Sequence, residues 1–202
     1  MATTTDLEIF TTAPPPPPAR PRVLLIGSAL ASGSAAMIVL ALVAQYARLR
    51  NEVIAGGKPW LPEEANIQLT PGNMGMVTLV MSLATVAWIV HALRNDDRTH
   101  ALLAFGVTAL FGAAFINVTV FGWQQLGLGV ASSTQALLIY TITGLVVAMV
   151  GVGMLFLAVM AFRALGGQLT GRSAEGVVAA VLFWYVTVAV YAVVWYAITI
   201  TK

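Results

Sequence analysis

Cysteine is absent from the chain. That excludes disulfides, thiolate metal sites, thioether-attached haem and a dinuclear copper centre with cysteine bridges. Histidine is almost absent as well: His91 and His100 are too few for a multi-metal redox centre built within the chain. Charge is scarce, at 9% of residues, where a soluble domain carries about 25%. With 59% apolar residues and a mean hydropathy of +0.88, there is too little polar surface to coat a globule in water. The solvent must be a bilayer. A formal charge of +2 is too small to suggest nucleic acid as a partner.

A spanning helix needs about 20 apolar residues, so 202 residues allow five spans with loops and no large extramembrane domain. The expected fold is all-α: an integral membrane five-helix bundle over residues 23–202, behind a disordered tail over 1–22. The tail contains the run Pro14–Pro18, and proline cannot donate to helix or sheet. A ligand for a proline-binding groove is the sharper reading of that run and a disordered leader the plainer one. The charged residues come late and the apolar stretch behind them is of spanning length, unlike a cleavable signal.

The spans are expected at about Val23–Ala47, Gly72–Leu93, Ala101–Phe121, Thr134–Ala161 and Gly176–Thr199. The first is rich in small residues from Gly27 to Ala36. In lipid such residues let backbones approach and gain dispersion energy, so that stripe is expected to face protein. Trp60, in the loop after it, reads as an interface anchor. Basic residues set the orientation: Arg20, Arg22, Arg94, Arg98, Arg163 and Arg172 gather on the amino-terminal side, against Arg48, Arg50, Lys58 and Lys202 on the other. The amino terminus is therefore expected in the cytoplasm and the carboxy terminus outside.

No Asp, Glu, Lys or Arg lies well inside any span. Intramembrane ionisable groups mark proton paths and coupling sites, so their absence argues against a pump, an ion-coupled transporter or an intramembrane hydrolase. His91 and His100 flank one turn at the membrane surface and lack a third ligand. The embedded polar residues are neutral. Hydroxyls usually bond their own helix and amides join helices, so Asn117 is expected to bond a neighbouring helix. The aromatic residues of the fifth span, Trp184 and Tyr185 among them, read as packing surface and interfacial belt.

Four stretches together resemble a known family. They are Leu42-Val43-Ala44-Gln45-Tyr46-Ala47-Arg48 at the exit of the first span and Gly57-Lys58-Pro59-Trp60-Leu61-Pro62 running on through Asn66 to Asn73. The others are Tyr140-Thr141-Ile142-Thr143-Gly144, and Gly167-Gln168-Leu169-Thr170 followed by Phe183-Trp184-Tyr185-Val186 through Trp195. In order and spacing they resemble subunit III of the haem–copper (cytochrome c type) oxidases in its short five-helix bacterial form. The likeness covers most of the chain behind the proline run. Where the family carries ionisable groups, a Glu would fall near Ala35, two His at Val146 and Met149, a His and an Asp at Tyr185 and Val188, and a Glu near Gly122. All are apolar or neutral here, so the roles of those groups do not carry over.

The resemblance implies a non-catalytic accessory subunit of a terminal oxidase in aerobic respiration, packed on subunit I with subunit II nearby, in a bacterial plasma membrane. It implies no cofactor on this chain, with haems and copper in the partners and phospholipid held in a cleft. No catalytic, cofactor-binding or metal residue is expected. Gly33, Asn117, Thr143, Gly144, Trp184 and Tyr185 are the candidates for helix packing or for lipid and partner contact. The alternatives are a stand-alone solute transporter and a membrane anchor or assembly factor working through the proline-rich tail. A transporter would show a cavity lined by Asn117, Thr143 and Gln135 beside a helix broken near Gly144, Gly151 or Gly153.

Overall fold

A computed structural model of the chain describes residues 22–61, 65, 67–167 and 175–201. The proline run and most of the link before the last span lie outside them. Within the described residues five helices are long and apolar enough to cross a membrane: α1 (Val23–Ala55), α2 (Leu69–Arg94), α3 (Arg98–Gln125), α4 (Thr134–Leu165) and α5 (Glu175–Trp195). A π-helical turn, Tyr196–Ile200, continues α5.

Local chemistry sets the ends. Asp97 and Ser133 cap α3 and α4 by accepting from the backbone N–H groups of His100 and Ala136, donors that the helix itself leaves unpaired. Pro71 stands in the first turn of α2, where its missing N–H costs nothing. Asp96 takes up a left-handed conformation (φ 53°) in the turn between α2 and α3. The first helix outruns its expected end at Ala47 and reaches Ala55. Its last turns are polar and carry an Arg48–Glu52 pair at 2.8 Å, the i,i+4 spacing that supports a helix in water.

Each of the first four helices buries one stripe. On α2 it runs Pro71, Gly75, Leu79, Ser82, Val86 and Ile89, the three-and-four spacing of a single face. The last helix is the centre of the bundle, with 61% of its apolar window buried against 17% for α1. It packs against α1, α4 and α2, while α2 and α3 form a close antiparallel pair. At the amino-terminal end, the Ser28 hydroxyl donates to the Ala179 carbonyl at 2.6 Å and the Glu175 carboxylate accepts from the Leu25 N–H at 3.3 Å. Both bonds tie α1 to α5.

The opposite end, where α1 stops and α2 begins, is called the distal end below. There Trp60 donates its indole N–H to the Tyr46 hydroxyl at 3.0 Å, with the rings edge-on at 5.2 Å. Trp60 is 6% exposed: it pins the loop to α1 instead of standing free in the interface. The small residues of α1 divide between two faces. Ser28 and Ser32 are buried and Ala35 and Ala36 pack half-buried against the core, while Gly27, Ala29, Ala31 and Gly33 are exposed.

Candidate functional site

The bundle interior is organised around Trp184, which is fully buried on α5. Its indole N–H donates to the Ser82 hydroxyl at 2.8 Å, and Ser82 donates in turn to the Leu79 carbonyl at 2.6 Å. The ring needs room on two further helices. A Cβ at Gly153 would lie 2.9 Å from Trp184 Cε3, and one at Gly112 would lie 3.2 Å from Cη2. A second polar link joins α2 to α3, where the Thr85 and Thr108 hydroxyls meet at 2.8 Å. Every one of these groups is neutral, so among the described residues this core network offers hydrogen bonds between uncharged groups.

A hollow lined by aromatic and polar side chains lies at the distal end, between the start of α2, the end of α3, the start of α4 and the end of α5. It has about 700 Å³ of empty space, open to the surroundings, of which about 90 Å³ admits a water-sized sphere. Phe115, Trp123, Tyr191 and Trp195 contribute aromatic faces, and Thr119, Thr143 and Thr199 contribute hydroxyls. Trp123 donates to the Thr143 hydroxyl at 2.9 Å, Tyr191 donates to the Gly72 carbonyl at 3.2 Å, and Trp195 donates to Asn73 Oδ1 at 3.0 Å. These bonds hold the aromatic walls in place. A separate groove runs between α3 and α4, lined by apolar residues that include Leu102, Gly106, Ile116, Leu155 and Phe162.

At the amino-terminal end a shallow hollow gathers Trp88, His91, Asn95, Asp97 and His100. His100 Nδ1 lies 2.6 Å from Asp97 Oδ2, and His91 Nε2 lies 3.1 Å from Asn95 Nδ2. The His100 backbone N–H that Asp97 caps is the main cause holding its carboxyl below the usual carboxylate range. Among the described residues there is no group of three or more His, Asp or Glu that could hold a metal ion.

The six candidate residues do not converge. Trp184 is buried in the core and Thr143 lines the distal pocket. Gly144 is half-buried with nothing within 4 Å of a Cβ, and Gly33 is exposed with equally open space. Tyr185 is 39% exposed. Asn117 is exposed on α3 and makes no hydrogen bond among the described residues, so the expected bond to a neighbouring helix of this chain is absent there. Nor does a transporter-like cavity gather Asn117, Thr143 and Gln135: only Thr143 lines the distal pocket, and α4 is continuous from Thr134 to Leu165. Sequence reasoning overlooked Gly72, Gly112 and Thr199. The approach of a side chain to a glycine and the π-helical turn leave no mark in residue order.

The sequence profile of the cytochrome c oxidase subunit III family matches residues 27–201. The chain belongs to that family. It is also 24% identical over 127 residues to the "Cytochrome c oxidase subunit 3" of Thermostichus vulcanus, a match covering 62% of this chain and 63% of that relative's length. The positions read in the sequence as facing the family's ionisable groups differ in their surroundings. Val146, Met149 and Val188 are buried, Ala35 and Gly122 are half-buried, and Tyr185 points outward.

Proposed function

We propose that the chain is the non-catalytic accessory subunit, subunit III in kind, of a haem–copper terminal oxidase. It sits beside subunit I, with subunit II nearby, in a bacterial plasma membrane, its amino terminus in the cytoplasm and its carboxy terminus outside. The observation that carries this reading is the family match over 27–201 on a bundle whose described interior is entirely neutral. A buried charge or a ligating cluster is what electron or proton transfer requires of a protein. The haems and copper then belong to the partners, and this chain supplies a packed apolar wall.

Two outward features suit such a role. Asn117 stands on a face with Gly106, Leu110 and Ala113, where small residues admit a neighbouring helix closely and an amide bonds across the contact. In hydrocarbon an unpaired amide is costly, so a partner chain is the natural source of its hydrogen bond. The α3–α4 groove is apolar along its length. Arg98 lies one turn beyond Leu102, and Arg163 follows Phe162. That arrangement suits an acyl chain in the groove with its phosphate at the guanidinium groups.

Affinity purification of the tagged chain from its native membranes in a mild detergent tests the proposal. The expected result is co-purification with larger subunits and with haem absorbance in constant ratio. Recovery of the chain alone, without either, would overturn it.

A further inference from the structure

The distal pocket contains a hydroxyl that the fold does not use. Thr108, Thr119, Thr143 and Thr187 each donate to the carbonyl one turn earlier, the ordinary fate of a threonine in a membrane helix. Thr199 does not. It is 6% exposed, lines the pocket, and its hydroxyl has no hydrogen-bond partner among the described residues. Thr199 belongs to the π-helical turn Tyr196–Ile200, where the Thr201 N–H reaches back to the Tyr196 carbonyl at 3.2 Å. Such turns recur at functional sites. Gly72 completes the setting, because a Cβ there would lie 2.6 Å from Thr199 Oγ1; only glycine lets the hydroxyl settle over the start of α2.

The exposed amide of Gln68 also lines the pocket, but the remaining capacity of its buried hydroxyls is one-sided. The protons of Thr119, Thr143 and Tyr191 are committed to the Phe115, Ile139 and Gly72 carbonyls. Thr119 and Tyr191 therefore offer only lone pairs, and Thr199 alone among the buried hydroxyls can both donate and accept. Among the described residues no Asp, Glu, Lys, Arg or His lines the hollow, so these walls offer an ion no compensation. A carbonyl compound would leave the lone pairs unanswered, and a hydrocarbon would leave all of the hydroxyls so.

We infer that the distal pocket binds a neutral alcohol with an apolar body, drawn from the surrounding membrane, whose hydroxyl bonds Thr199 while its body lies against Trp123 and Trp195. Aromatic and aliphatic walls with a few placed polar groups are the usual make-up of a small-molecule site. The inference stands on the pocket alone and does not depend on which complex the chain enters.

Photolabelling of the full-length chain in its membrane with a diazirine-bearing octanol tests it, with labelled residues mapped by mass spectrometry. Saturable labelling is expected in the segments around Thr119, Trp123 and Thr199, protected by octanol and not by octane or octanoate. Thr199→Val, which keeps shape and removes the hydroxyl, should raise the half-saturating concentration about fivefold, the worth of one hydrogen bond, and Thr199→Ser should restore it. The inference is overturned if labelling is unsaturable and spread over outward residues such as Leu110 and Leu155. It is equally overturned if octane protects as well as octanol, or if Thr199→Val binds unchanged. The competition pattern on the unmodified chain decides the matter even if a variant fails to fold.

Discussion

Gly153→Ala places a methyl carbon 2.9 Å from Trp184 Cε3 and 3.3 Å from Cζ3, where carbon atoms prefer about 3.5–4.0 Å. The indole is restrained: it is fully buried and its N–H is held by Ser82 at 2.8 Å. Overpacking of this kind costs about 1–3 kcal/mol, and the better helix propensity of alanine offsets up to about 1 kcal/mol. The net expectation is a loss of roughly 0–2 kcal/mol. Gly151, two residues earlier on the same helix, has nothing within 4 Å of a Cβ, so Gly151→Ala should be neutral or stabilising by up to about 1 kcal/mol. The pair should therefore differ by about 1–3 kcal/mol, since the propensity contribution is common to both. Unfolding by SDS from mixed micelles, followed by tryptophan fluorescence and circular dichroism, measures the difference. Equal stabilities, or a more stable Gly153→Ala, would refute the packing account.

Further expectations concern the polar links and the turn at the amino-terminal end. A double-mutant cycle of Ser82→Ala and Trp184→Phe should give a coupling of about 1 kcal/mol, the upper range for hydrogen bonds within membranes, and zero coupling would mean the bond contributes nothing. Ser28→Ala removes the α1–α5 bond to Ala179 and should cost about 0.5–1.5 kcal/mol in the same titration. Ser34→Ala, which loses only an exposed bond within its own helix, should fall within about 0.5 kcal/mol of the parent. The lowered Asp97 carboxyl stabilises the fold in its charged form. That contribution is complete above the ordinary carboxylate range and is lost as pH falls below about 4 through the lowered folded value. Asp97→Asn keeps a cap and removes the titration, so melting profiles of the two proteins should diverge only at acid pH; parallel profiles would contradict this.

Much of this architecture is legible in residue order because the bilayer imposes length: five apolar runs became five helices with ends shifted by a few residues. The larger shift, at α1, arose because Arg48 and Glu52 support a helix in water beyond the apolar run. What the order of residues hides is which face turns inward. A membrane helix is apolar all round, so the contrast that reveals the buried face of a soluble helix is missing. Ser82 and Asn117 are both neutral polar residues within apolar runs, yet one anchors the core tryptophan and the other faces outward. Similarly, Gly153 and Gly151 look alike in sequence and differ only in whether Trp184 lies above them. The distal pocket was hidden for a further reason. It depends on the backbone widening at Tyr196–Ile200, and ordinary residues build that turn.

The most direct test of the central claim compares the oxidase prepared with and without this chain, with haem and copper counted per complex and optical spectra recorded. Removal of the chain should leave the metal content and the spectrum unchanged. Stoichiometric loss of a haem or a copper ion with the chain would contradict it.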